Sequence, residues 1–323
     1  MAEASAAQPS GAEPSAAGPN AARPSATGQS ATGPSAAEPS VAPTTFDRDT
    51  AVSVLSRSDD GDPARAQFAA NVSADWRAGR GPHGGYLAAM LLRALTEAVD
   101  DPARAPRSLT IHYARAPQPG PVGIDVTIER QGRSLSSLSA RMRQDGALVA
   151  LALAAFSVAW DAPEIADLAL PDVAPPDAQR RSAIPLFAGA PPFTSHLIVQ
   201  PRIGVVPFQG SDAPMEIGSW LGLAEARPID ALSLAFFSDA LFSPPFIRLT
   251  EPSTTPTIDL TIHFRTPMPR VAEPDAEELC FARFRTGLVH DGFFEEDGVI
   301  WAGDGAVLVQ SRQLGIVLPR PIG

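Results

Sequence analysis

Apolar and polar residues along most of this chain alternate with the period of half-buried strands, and twice they give way to a segment of helical period. Before the first such segment, 51–55 and 66–72 read as strands. After it, so do 109–114, 123–130, 134–144 and 148–158, with a hairpin turn at Asp145-Gly146. Between them, over 86–99, Leu87, Met90, Leu91, Leu95 and Ala98 recur at helical spacing while Arg93 and Glu97 fall elsewhere. That spacing predicts an amphipathic helix with a wide apolar face.

The order then starts again. Strands are predicted at 197–206 and 215–221, followed by a helix over 230–242 that Pro244 and Pro245 terminate. Further strands follow at 258–265, 278–290, 293–302 and 307–317, with a second turn at Asp304-Gly305. Asp230 is placed as the N-cap of the second helix, with Ile229 as its staple. A short phrase marks the duplication: Leu109-Thr110-Ile111-His112-Tyr113 returns as Leu260-Thr261-Ile262-His263-Phe264. Two strands, one helix and four strands, stated twice, describe an α+β fold of two repeated units, each an antiparallel sheet wrapped around a central helix. The units are expected at 45–160 and 193–323.

Composition changes this picture at two places. Residues 1–44 are almost wholly Ala, Ser, Pro, Gly and Thr, a tract that buries too little apolar surface to offset its ordering entropy, and they read as a disordered tail. Residues 161–192, rich in Pro, Ala and Asp, read as a linker. The whole is a globular protein, with 44% hydrophobic residues in 323. A formal charge of -11 argues against nucleic acid as a partner. All 25 basic residues are arginine, which excludes lysine Schiff-base chemistry and a P-loop lysine. The single cysteine, Cys280, is expected to fill core; it excludes an intrachain disulfide and fits a reducing, cytoplasmic compartment. No apolar run reaches the roughly 18–20 residues of a membrane span, and the first residues lack the basic-then-apolar order of an export signal.

The segment 230–242 is apolar on nearly every face, so a buried helix is expected, and Asp239 within it needs either a partner or a proton. Burial raises a carboxyl toward general-base strength near neutral pH, which makes Asp239 a candidate base; a capping role is the plainer alternative. Setting Asp304-Gly305 on Asp145-Gly146 puts Gln313 opposite Ala154, and setting Leu260 on Leu109 puts Thr257 opposite Pro106. The second unit thus carries polar side chains that the first lacks. Taken alone, Gln313 reads equally as a solvated edge residue and Thr257 as a strand or turn former. Gly84, Gly85 and Tyr86 open the first helix, where backbone N–H groups at the positive end of the dipole can hold a carbonyl oxygen; a tight strand-to-helix turn is the alternative. His112 and His263, at equivalent strand positions, read as repeated structural residues, and no metal site is expected.

Gly84-Gly85-Tyr86 with its helix, Ser238-Asp239, Pro256-Thr257-Ile258-Asp259-Leu260 and Ser311-Arg312-Gln313-Leu314, in that order within 46–317, resemble the acyl-CoA thioesterase II family. The resemblance implies a double hot-dog fold and hydrolysis of acyl-CoA thioesters by a water that an Asp, a Thr and a Gln position. The matching residues here are Asp239, Thr257 and Gln313, with Gly84, Gly85 and Tyr86 as the substrate-binding candidates. The expected partners are an acyl-CoA substrate and further copies of the chain in a homo-oligomer, with no cofactor, no metal and no membrane span. The chain departs from the family pattern at Leu260, where its characterised hydrolases carry a histidine after the Ile-Asp pair. The chemistry suits the residues, because a thiol with a pKa of about 8.5 leaves readily and needs little acid assistance. The Gly-x-Ser-x-Gly elbow of a serine hydrolase is absent. The competing class is a hot-dog protein that binds acyl-CoA or an acyl-carrier thioester without hydrolysing it.

Overall fold

The computed structural model describes residues 42–58, 64–79, 81–177, 191–266, 268 and 279–319; the expected tail up to residue 41, and 178–190 of the expected linker, lie outside them. Composition groups Thr44 with the tail, yet Thr44 is the N-cap of α1 (Thr45–Asp49). Its hydroxyl accepts from the Asp47 N–H while the Asp47 carboxylate accepts from the Thr44 N–H, a reciprocal capping box.

The alternating runs become β1 (Val52–Ser58), β2 (Arg65–Val72), β3 (Ala105–Tyr113), β4 (Gly120–Gln131), β5 (Leu135–Gln144) and β6 (Ala147–Ser157). In the second half they become β7 (Leu197–Ile203), β8 (Glu216–Leu223), β9 (Thr257–Phe264), β10 (Cys280–Arg285), β11 (Phe293–Trp301) and β12 (Val307–Ile316). These strands form one antiparallel sheet in the order β1-β2-β4-β5-β6-β3-β9-β12-β11-β10-β8-β7. Read inward from either edge, the halves list their strands in the same chain order, and they meet where β3 pairs with β9. The two copies of the repeated phrase lie against each other at that seam.

α2 (Gly84–Val99) packs on β2 to β6 and against α3 (Ala231–Phe237). In α2, Tyr86, Met90, Leu91 and Leu92 are fully buried; the helix ends at Asp100, whose φ of 49° supplies the left-handed C-cap. The two helices approach closely: a Cβ on Gly85 would sit 2.5 Å from the Phe236 carbonyl oxygen, so only glycine fits there. Asp230 caps α3 as predicted, accepting from the Ser233 N–H.

Two elements are shorter than the pattern predicts. The helix expected over 230–242 stops at Phe237. Its Ser238 hydroxyl donates to the Leu234 carbonyl, and the N–H groups of Asp239 and Ala240 turn back to carbonyls three residues earlier, which tightens the chain out of the α-helix. The strand expected over 278–290 divides. β10 ends at Arg285, and the two-residue strand Val289–His290 pairs with β11 through a turn at Asp291-Gly292, whose φ values are 51° and 80°. Cys280 is buried on β10. The described part of the linker forms no strand but is anchored: Leu170 and Val173 pack on Trp220, Phe281 and Trp301, and the Trp220 Nε1–H donates to the Ala174 carbonyl at 2.9 Å.

Candidate active site

Asp239 lies two residues past the end of α3, and the place it reaches is the start of α2. The Gly85 N–H donates to its Oδ2 at 2.9 Å. A carboxylate beside the carbonyl-rich end of its own helix would be disfavoured; the first turn of α2 offers open N–H groups and the positive end of a dipole. The side chain is 15% exposed, so solvent reaches it. Gly84 makes room for it, since a Cβ there would meet Oδ2 at 2.8 Å.

Two residues that the sequence reading missed complete this seat. His83 is the N-cap of α2; its Nδ1 accepts from the Tyr86 N–H at 3.3 Å, which leaves Nε2–H to donate to the Asp239 carbonyl at 2.7 Å. Burial pushes the His83 pKa below 6.5 against the pull of Asp239, so the 3.6 Å contact from Nε2 to Asp239 Oδ2 joins a neutral imidazole to a carboxylate. Tyr113 donates its hydroxyl to the Gly84 carbonyl at 2.9 Å, and burial, with Asp239 adding, holds its pKa well above 10. A histidine at the position before a Gly-Gly helix start was the legible signal for the first; nothing in the alternation of β3 singled out the second.

Of the residues expected to meet substrate, Gly85 and Tyr86 have their N–H groups engaged by Asp239 and His83. The Tyr86 ring is fully buried and its hydroxyl donates to the Asp49 carbonyl at 2.7 Å. These contacts serve the close strand-to-helix turn, and the expectation that Gly85 offers an open N–H to a carbonyl oxygen is corrected: a carboxylate of the chain itself takes it.

Thr257 and Gln313 meet directly. Strict alternation would turn Thr257 outward with Asp259 and Thr261, but the register of β9 against β12 slips between Thr257 and Asp259. The slip brings the Thr257 hydroxyl to Gln313 Oε1, to which it donates at 2.9 Å. Gln313 Nε2–H in turn donates to Glu296 Oε1 at 2.6 Å, and the two residues are direct cross-strand partners on β12 and β11. Glu296 is 4% exposed. Burial pushes its pKa up to about 8, the Gln313 bond opposes that shift, and the charges of Asp239 and Asp297 add to it. Glu296 is thus a carboxyl that burial raises. Sequence reasoning missed it because Glu295-Glu296-Asp297 looks like a solvated acidic run. Period two held the signal, since Glu296 shares its face with Phe294, Gly298 and Ile300, all buried.

The structure thus brings Thr257 to Gln313, and Asp239 to Gly85 and His83; Glu296 bonds to the first group and feels the charge of the second. Leu260 is fully buried and faces Gln313 across the ladder. His112 and His263 are exposed, opposite Asp259 and Ser108.

An antiparallel sheet around buried helices, with this strand order, makes the chain a hot-dog protein. A protein of unknown function with the hot-dog fold, from Alicyclobacillus acidocaldarius, matches with a TM-score of 0.70 at 25% identity, over 86% of this chain and 99% of that one. An acyl-CoA thioesterase II from Mycobacterium marinum shares the fold with a TM-score of 0.62 at 18% identity, over 83% and 97% of the two chains. An uncharacterized protein of Mycobacterium tuberculosis is 26% identical over 289 residues, 80% of this chain and 94% of its own length. Residues 72–157 match the acyl-CoA thioesterase N-terminal domain and residues 167–317 the acyl-CoA thioesterase C-terminal domain. The chain belongs to the acyl-CoA thioesterase family.

Proposed function

We propose that this chain hydrolyses acyl-CoA thioesters to the free acid and CoA, using a water positioned by Asp239, Thr257 and Gln313, without a metal or a covalent intermediate. The observation that carries the reading is the Thr257–Gln313 hydrogen bond, which pairs two polar side chains in the half of the chain that also supplies Asp239. The Thr257 hydroxyl spends its proton on Gln313, so its oxygen is left to accept from a water, while the second Nε2–H of Gln313 is left to donate. The water oxygen attacks the thioester carbon, Asp239 takes its proton, and the C–S bond breaks to release CoA thiolate, which needs no strong acid. Donors around the carbonyl oxygen stabilise the charge that develops there.

The same reading divides the chain into hot-dog units at 45–160 and 193–323 joined by 161–192, with the reacting groups drawn from the second and the seat of Asp239 from the first. The matching strand order of the halves supports it; superposing β1–β6 with α2 on β7–β12 with α3 tests it. A cytoplasmic homo-oligomer fits a buried thiol at Cys280 and the exposed Leu151 and Leu153 on β6.

The deciding experiment is thiol release from a panel of acyl-CoA chain lengths by the wild type and Asp239→Asn side by side. Turnover by the wild type with a loss of roughly 10²- to 10⁴-fold in the variant supports hydrolysis by Asp239. Wild-type rates in Asp239→Asn overturn that assignment. Tight acyl-CoA binding with no thiol release by either protein favours the thioester-binding alternative.

A further inference from the structure

Among the described residues, Glu296 is the only carboxyl buried in the core, and no cation pairs with it. The nearby guanidinium, Arg312, is held by Asp297 at 2.7 and 2.8 Å. An apolar side chain at position 296 would stabilise the sheet better than a carboxyl taken out of water with one hydrogen bond. Among the described residues its hydrogen-bond partner is the neutral Gln313.

A glutamine amide can face either way, and the Thr257 hydroxyl, both donor and acceptor, does not choose between them. Glu296 selects one of them: Gln313 Nε2–H donates to its Oε1 at 2.6 Å, an oxygen that still accepts when the carboxyl carries its proton on Oε2, and the amide oxygen accepts from the Thr257 hydroxyl at 2.9 Å. We infer that Glu296 is a positioning residue of the hydrolytic site, holding the Gln313 amide so that its oxygen stays on Thr257 and its second N–H is left for the reacting water or thioester oxygen. This rests on the hydrolytic reading of the site.

The charges around Glu296 make its own titration a readout. Asp239 faces it from the chain beyond α3, Glu295 and Asp297 flank it on β11, Arg312 on β12 is paired with Asp297, and Arg285 on β10 lies opposite Asp297. Of the shifted groups at the site, His83 lies below 6.5, Tyr113 well above 10 and Glu296 at about 8. Ionisation there adds a second negative charge that interacts with Asp239, so turnover falls as pH rises through about 8.

The test uses the full chain. Thiol release from octanoyl-CoA is followed from pH 6 to 9.5 for the wild type, Glu296→Ala and Glu296→Gln, with the Gln313 side-chain amide and Glu Cδ signals followed by NMR over the same range. Glu296→Ala is expected to lose roughly tenfold or more in kcat with little change in KM. Glu296→Gln, whose amide oxygen still accepts from Nε2, recovers most of that loss and has no alkaline fall. The Gln313 amide pair moves with the Glu296 titration. A kcat for Glu296→Ala equal to the wild type, or the same alkaline fall in Glu296→Gln, overturns the inference. If the wild type releases no thiol, the hydrolytic reading fails by itself; Gln313 signals that then ignore the Glu296 titration would overturn the positioning as well, and signals that follow it would sustain it.

Discussion

Thr110 and Thr261 face each other across the seam of the sheet, their hydroxyl oxygens 3.1 Å apart. They are the same residue of the duplicated phrase. Around them Leu109 pairs with Ile262 and Ile111 with Leu260, so the repeat meets itself head to tail about one point. An antiparallel ladder allows this because reversing one copy restores the same inward face to both. Leu109, Ile111, Leu260 and Ile262 are all fully buried.

That pairing can be weighed directly. Thr110→Val or Thr261→Val alone strands one hydroxyl and should cost about 0.5–1.5 kcal/mol in a urea titration. Replacing both should cost less than the sum, because two valines suit a strand pair and leave nothing unpaired. Additive losses would show that the two hydroxyls do not interact.

The glycine pair should separate stability from turnover. Gly85→Ala drives a methyl to 2.5 Å from the Phe236 carbonyl, which forces α2 and α3 apart and should lower stability by about 1–3 kcal/mol. Gly84→Ala meets the Asp239 carboxylate, a side chain that can move, at 2.8 Å. It should change the melting temperature less than Gly85→Ala and kcat more in relation to that change, as paired calorimetry and thiol-release assays would reveal.

Thr257→Ala and Gln313→Ala should each reduce kcat, by roughly tenfold to a hundredfold, and the double variant should lose far less than the product of the two. The reason is the bond between them: once Thr257 is gone, Gln313 has lost the partner that holds its oxygen. Multiplicative losses in a double-mutant cycle would indicate that the two act on different atoms of the reaction.

Glu296 ties stability to pH. Its pKa rises on folding from 4.5 to about 8, so between those values the folded chain holds a proton that the unfolded chain has released. Stability from this group therefore declines as pH rises from about 4.5 to about 8 and is level outside that window, a change on the order of a few kcal/mol. Glu296→Gln should match the wild type near pH 4.5 and exceed it increasingly up to pH 8, by urea unfolding. A constant offset across the range would mean that Glu296 folds with its proton equilibrium unperturbed.

Alternation, the two helical segments and the Asp-Gly turns determined the elements, because each is a local matter of which face a side chain takes and which backbone angles a turn requires. The strand order that the two halves share was legible for the same reason, as was the capping of α3 by Asp230. Asp239, Thr257 and Gln313 stood out as polar residues on apolar ground or against apolar counterparts. What the sequence could not decide is which neighbours those residues meet. The end of α3 at Phe237 depends on a carboxylate finding the first turn of another helix, 154 residues away in the chain. The inward turn of Thr257 depends on a one-residue slip between two strands. Glu296 hid in an acidic run because local composition makes three carboxylates look solvated, whereas its burial, its shifted pKa and its hold on Gln313 arise only when β11 and β12 pair in register and the core closes over their inner face.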